Sequence, residues 1–103
     1  MKTQTITEMH VMLAEDTPTP LEEVMDLGET RLWRVNSEDV KNLKYIFIWD
    51  KANCRKLKAR VTGIVEEKGG KVIHFNPETA KLYNVRWENR PKFNRIGIRL
   101  IWN

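Results

Sequence analysis

From Leu57 to Glu67 the chain alternates, with Leu57, Ala59, Val61, Gly63 and Val65 on one side and Lys58, Arg60, Thr62, Ile64 and Glu66 on the other. A period of two sustained over that length does not suit an amphipathic helix and predicts a long, half-buried strand. Lys68-Gly69-Gly70 then gives the backbone freedom of a tight hairpin, and KVIHF, 71 to 75, pairs back. Helix periodicity is absent from residue 44 onward, so a helical bundle is excluded.

The neighbouring segments read the same way. KYIFIWD, 44 to 50, is an almost wholly apolar run rich in β-branched and aromatic residues, as expected of a central strand buried on both faces. A first strand is expected from about Glu8 to Leu13, and the two prolines of EDTPTP make an extended connector. Thr19 as N-cap, Pro20 at the first helical position, Glu22 three residues on and Gly28 as terminator predict a helix over 20–27. Its core face would be Leu21, Val24, Met25 and Leu27, with Glu22, Glu23 and Asp26 outward. RLWRV, 31–35, is a short strand, and Asn36 or Ser37 caps a helical turn, SEDVKNL, that buries Val40 and Leu43. After the turn Asn76-Pro77-Glu78-Thr79, KLYNVRWE, 81–88, forms a strand with Lys81, Tyr83, Val85 and Trp87 on one face. The final strand, RIGIRLIWN, would bury Ile96, Ile98, Leu100 and Trp102 and present Arg95, Gly97, Arg99 and Ile101.

Six or seven short strands with one helix and one helical turn predict a mainly β fold, a small antiparallel barrel or sandwich. The alternating strand, glycine hairpin, turn and VRW strand over residues 57–103 resemble the successive hairpins of an SH3-like or Tudor-like barrel, and a PUA-like or OB-like barrel also fits. At 103 residues one domain and one core are expected, spanning 1–103. Charge divides it: residues 1–30 hold seven carboxylates against Lys2 alone, whereas 31–103 hold 17 basic and 7 acidic residues. Such asymmetry predicts a basic barrel body that meets an anion, with an acidic N-terminal segment that shields it, recruits another partner or complements it internally.

Catalysis finds little support. One cysteine, Cys54, and two distant histidines, His10 and His74, make no zinc spacing, so no metal or other cofactor is expected. Nucleophile-elbow and phosphate-loop motifs are missing, and the only serine, Ser37, caps a helix. Asp50 with Glu66-Glu67-Lys68 resembles the carboxylates and lysine of PD-(D/E)xK nucleases, but the triplet runs into a Gly-Gly turn and the flanking helices are missing. An acid–base pair drawn from His10, His74 and the glutamates is not required by their spacing. No run of 18 apolar residues could cross a bilayer, and MKTQTITEMH lacks a secretory core, so a reducing, cytoplasmic setting is expected.

Binding is where residues accumulate. Lys58, Arg60, Arg86, Arg95 and Arg99 come from three successive strand candidates and would form a cationic sheet face, with Arg55, Lys56, Arg90 and Lys92 at its rim. Such a face suits phosphate contacts, and Trp33 or Phe93 could stack a base. Trp49, Trp87 and Trp102 are expected to be core. The expected function is therefore non-enzymatic nucleic-acid binding, RNA or DNA, in an accessory or regulatory role. The alternative is a protein-interaction module that recruits a partner through Glu22, Glu23 and Asp26, or dimerises through an exposed strand edge at Ile101.

Overall fold

The computed structural model of the chain describes residues 5–13 and 20–102, the Leu32 side chain excepted. Both the Thr19 cap and most of the EDTPTP connector lie outside those residues. Strands β1 (Ile6–Met12), β2 (Glu29–Trp33), β3 (Tyr45–Asp50), β4 (Arg55–Glu67), β5 (Gly70–Phe75), β6 (Lys81–Asn84) and β7 (Ile98–Trp102) join helices α1 (Leu21–Leu27) and α2 (Ser37–Val40). They form one seven-stranded sheet in the order β2-β5-β4-β3-β1-β7, with β6 also on β4.

Two findings correct the expected antiparallel barrel. β1 and β3 are parallel, Glu8 facing Tyr45 and Met12 facing Trp49, because α1, β2 and α2 carry the chain across between them. The sheet is also open, since no pairing among the described residues joins its two ends. It bends within β4, whose first half pairs with β3 and β6 and whose second half pairs with β5.

The bend has a local cause. Val61 faces Phe75 and Gly63 faces His74, so Thr62 is an extra residue in β4, a bulge that twists the strand and reverses its alternation. Leu57 and Ala59 are buried as the sequence predicts, but beyond the bulge Ile64 packs on the core and Val65 is 48% exposed.

The core is continuous. Met9, Val11, Ile46, Ile48, Leu57, Ala59 and Ile98 line the inner face of β1, β3, β4 and β7, and Leu21, Val24, Val40, Leu43, Ile73 and Phe75 close over them. α1 is short and stands with Pro20, extended at φ −72°, as its N-cap. Gly28, at φ 68° and ψ 25°, ends it by donating its N–H to the carbonyls of Met25 and Val24, and its own carbonyl accepts from the Phe75 N–H of β5. Because the chain turns there, Leu27 is 63% exposed instead of joining the predicted core stripe. α2 is capped by the Asn36 side chain, which accepts from the Glu38 N–H, and it buries Val40.

Two predicted strands are shorter than expected. β6 stops at Asn84 because its partner, β4, begins opposite it at Arg55; the chain then turns through a single 3-10 turn at Trp87–Asn89. β7 starts at Ile98, since the Asn94 carboxamide oxygen accepts from the Ile96 and Ile98 N–H groups and curls Arg95-Ile96-Gly97 into a turn. Ile98 is buried and Leu100 packs on the core, whereas Ile96 and Trp102 are 46% and 54% exposed, outside the core face predicted for them.

Candidate nucleic-acid interface

Partners across a ladder share a face, so the register assembles the outer side of the sheet without further assumption. One row runs Arg99–His10–Phe47–Lys58–Lys81 from β7 to β6. Below it lies Ile101–Glu8–Tyr45–Arg60, and above it Met12–Trp49–Lys56–Tyr83. β3 thus carries aliphatic Ile46 and Ile48 inward and aromatic Tyr45, Phe47 and Trp49 outward.

Lysines and rings interleave on this outer face. The Lys56 ammonium lies 5.0 Å from the Trp49 ring centroid, 5.5 Å from Phe47 and 5.8 Å from Tyr83. That of Lys58 lies 4.8 Å from Tyr45 and 5.6 Å from Phe47. These ammonium groups lie over the rings, and His10 stacks on Phe47, which is only 7% exposed, as Trp49 is only 4%. Trp87 and Phe93 meet Trp49 edge-on, at 6.3 and 6.5 Å between centroids, and the Arg90 guanidinium lies over Trp87. Among the described residues, Lys56, Lys58, Arg60, Lys81 and Arg99 make no salt bridge. Glu8 is the one carboxylate in the three rows.

His10 fixes the left side of the platform. It stacks on Phe47, 4.3 Å between centroids and 6° from parallel, and its Nδ1 accepts from Trp49 Nε1 at 3.0 Å. That bond requires an unprotonated Nδ1, so the neutral ring carries its proton on Nε2, 3.8 Å from the Glu8 carboxylate. Burial, then the nearby Lys56 charge, lowers its pKa from 6.5 to about 4 and outweighs the Glu8 carboxylate.

The predicted site residues separate into two groups. Lys58, Arg60 and Arg99 lie in the outer-face rows, and Phe93 borders them through Trp49. Arg86 stands in the exposed loop after β6, 4.0 Å from Glu88, and Arg95 in the turn before β7. Trp33 belongs to β2, at the other end of the sheet, where its Nε1 donates to Thr30 Oγ1 and its ring packs on the core. Of the residues assigned to a protein partner, Glu22 accepts from both terminal nitrogens of Arg55, whose Nε is buried without a partner, and Glu23 and Asp26 are exposed. Ile101 is half-buried opposite Glu8. The acidic helix therefore binds Arg55 at the start of β4, and the outer-face cations have no carboxylate partner among the described residues.

Sequence reasoning placed Lys56 at the rim of the cationic face but missed His10, Phe47, Lys81 and Tyr83 as members of the same surface. A signal existed: within the uniformly apolar KYIFIWD, ring and aliphatic residues alternate, giving its two faces different chemistry. No protein-family model matches the chain, and comparison with curated proteins and with solved structures finds no match either.

Proposed function

We propose that the chain is a non-enzymatic nucleic-acid-binding protein whose interface is the outer face of β1, β3, β4, β6 and β7. One observation carries this reading: Tyr45, Phe47 and Trp49 form a row of rings capped by Lys56 and Lys58, which have no carboxylate partner among the described residues. Cations of this kind bind phosphates and release counterions, and ring faces bind bases with little regard to sequence. The bent β4, shared by two segments of one open, mixed sheet, supports this reading by carrying Lys56, Lys58 and Arg60 beside the rings of β3.

The test is titration of a labelled oligonucleotide at low salt, read by fluorescence anisotropy. The pair Lys58→Glu and Arg60→Glu is expected to weaken binding at least about tenfold and to flatten the slope of log affinity against log salt by about 2. Arg31→Gln, on β2 and already paired with Glu67 at 2.5 Å, is expected to leave both unchanged. Failure of the unaltered protein to bind any nucleic acid at low salt rejects the reading.

A second reading, pairing of copies along the edge strand β7, is favoured by Trp102, 54% exposed at that edge. A monomeric mass in solution at high protein concentration rejects it.

A further inference from the structure

Between β3, the first half of β4 and β6 lies an open hollow of about 360 Å³, bounded by Tyr45, Lys58, Arg60, Thr79, Lys81 and Tyr83. Three of these six are cations with no salt bridge among the described residues, and two are tyrosines. Thr79 is already committed: its hydroxyl donates to the Asn76 carbonyl at 2.7 Å and accepts from the Arg60 N–H at 3.0 Å, which fixes the floor. Among the described residues neither tyrosine hydroxyl has a hydrogen-bond partner, so both polar tips can meet a ligand. Tyr83 is 40% exposed, and the Tyr45 face is covered on this side by the Lys58 ammonium, 4.8 Å from the ring centroid.

We infer that this hollow is a one-nucleotide subsite for an unpaired base of a single strand, an inference that rests on the nucleic-acid reading above. The base stacks on Tyr45 by displacing Lys58, a flexible side chain held there only by cation–π contacts to Tyr45 and Phe47. The displaced ammonium, with Arg60 and Lys81 on either side of it, meets the phosphate. A duplex keeps its bases stacked on one another and cannot offer one to Tyr45 without being opened, so the hollow selects single strands. An acidic peptide would satisfy the cations but gains little from a bared tyrosine face, which is why a nucleotide is the better match.

The experiment compares an oligouridylate, an oligothymidylate, a duplex and an oligoglutamate of equal length, about eight units, in anisotropy titrations at a matched series of salt concentrations. The expected result is tighter binding of either single strand than of the duplex or the peptide. Tyr45→Ala is expected to weaken single-strand binding about tenfold, Tyr45→Phe to keep it, and neither to change binding of the duplex. A preference for the uridylate over the thymidylate would place the 2′-hydroxyl against a free phenol, and the reverse preference a thymine methyl against the ring; either supports the subsite. Lys81→Met, at an exposed rim position that does not test folding, is expected to reduce the single-strand salt slope by about 1. Unchanged single-strand affinity in a folded Tyr45→Ala variant overturns the subsite while the wider nucleic-acid reading stands, as does equal binding of the duplex. Equal binding of oligoglutamate, or no binding of any nucleic acid, overturns both.

Discussion

The two faces of β3 are both shielded from water, by different means. Inward, Ile46 and Ile48 are 0% and 1% exposed beneath helices and strands whose backbones are fixed by ladders and caps. Outward, Phe47 and Trp49 are nearly as hidden, at 7% and 4%, but their cover is made of side chains: the lysines, His10 and the loop residues Trp87 and Phe93. Burial alone therefore does not separate core from interface. What separates them is whether the covering atoms can leave: a lysine stem moves by rotating about single bonds, whereas a neighbouring strand moves only by unfolding.

That difference is open to direct attack. Ile48→Ala leaves a cavity between packed elements and is expected to cost about 3 kcal/mol in urea unfolding. Phe47→Ala removes more carbon but lets the Lys56 and Lys58 stems collapse, so about half that cost is expected. Equal losses for the two variants would show the lysine cover to be as rigid as the core and would remove the basis for a displaceable lid.

The next effect concerns the one titratable group held inside the outer cover. His10 has its pKa lowered from 6.5 to about 4 by burial and then by Lys56. Between those values the unfolded chain takes up the proton that the folded chain refuses. The stability from keeping His10 neutral is thus full above pH 6.5 and lost as pH falls toward 4. Once solvent screening is allowed for, the loss is on the order of 2 kcal/mol. Chemical denaturation at pH 7 and pH 4.5 measures it. His10→Gln, whose side-chain oxygen can still accept from Trp49, is expected to flatten that profile, and an unaltered profile would place the pH dependence elsewhere.

How much of this was legible beforehand follows from which forces act locally. KYIFIWD, the Lys68-Gly69-Gly70 hairpin and the Gly28 terminus are decided within a few residues, and each element stands where its own residues place it. The bend in β4 was legible in part, since a lone glycine inside a strand, Gly63, marks a bend or bulge, but the reversal of alternation beyond it was not, because which residue is extra is decided by the pairing with β5. Nor was the early end of β6, set by where its partner begins, or the Asn94 turn that removes Arg95 from the last strand. For the site, period two placed Lys58, Arg60 and Arg99 on an outward side correctly. It could not bring β1 beside β3, since a parallel crossover joins segments far apart in sequence, and His10 joins the platform only through it.

Charge and cover can also be separated at one residue. Lys56→Met keeps an unbranched stem of similar length over Phe47, Trp49 and Tyr83 while removing the ammonium. Unfolding free energy is expected to stay within about 0.5 kcal/mol of the unaltered protein. Oligonucleotide affinity is expected to fall severalfold, with the salt slope lower by about 1. A large stability loss instead would make the ammonium part of the fold's own electrostatics and weaken its claim as a phosphate contact.

The smallest effect tests the limit of the outer cover. Gly63 follows the bulge and pairs with His74, and a methyl group built on it would meet no atom within 4 Å, without the positive φ that strains side chains. Gly28 differs on both counts, since its φ is 68° and a methyl there would lie 3.1 Å from the Phe75 carbonyl oxygen. Gly63→Ala is therefore expected to change stability by no more than about 0.5–1 kcal/mol, in the stabilising direction, because it reduces the freedom of the unfolded chain and disturbs nothing folded. Oligonucleotide affinity should not move, since the rows of rings and cations end before the bulge. A thermal melt and one titration suffice: a clear loss of stability would mean that the bend needs a glycine, and a change in affinity would extend the interface past Thr62 onto the second half of β4.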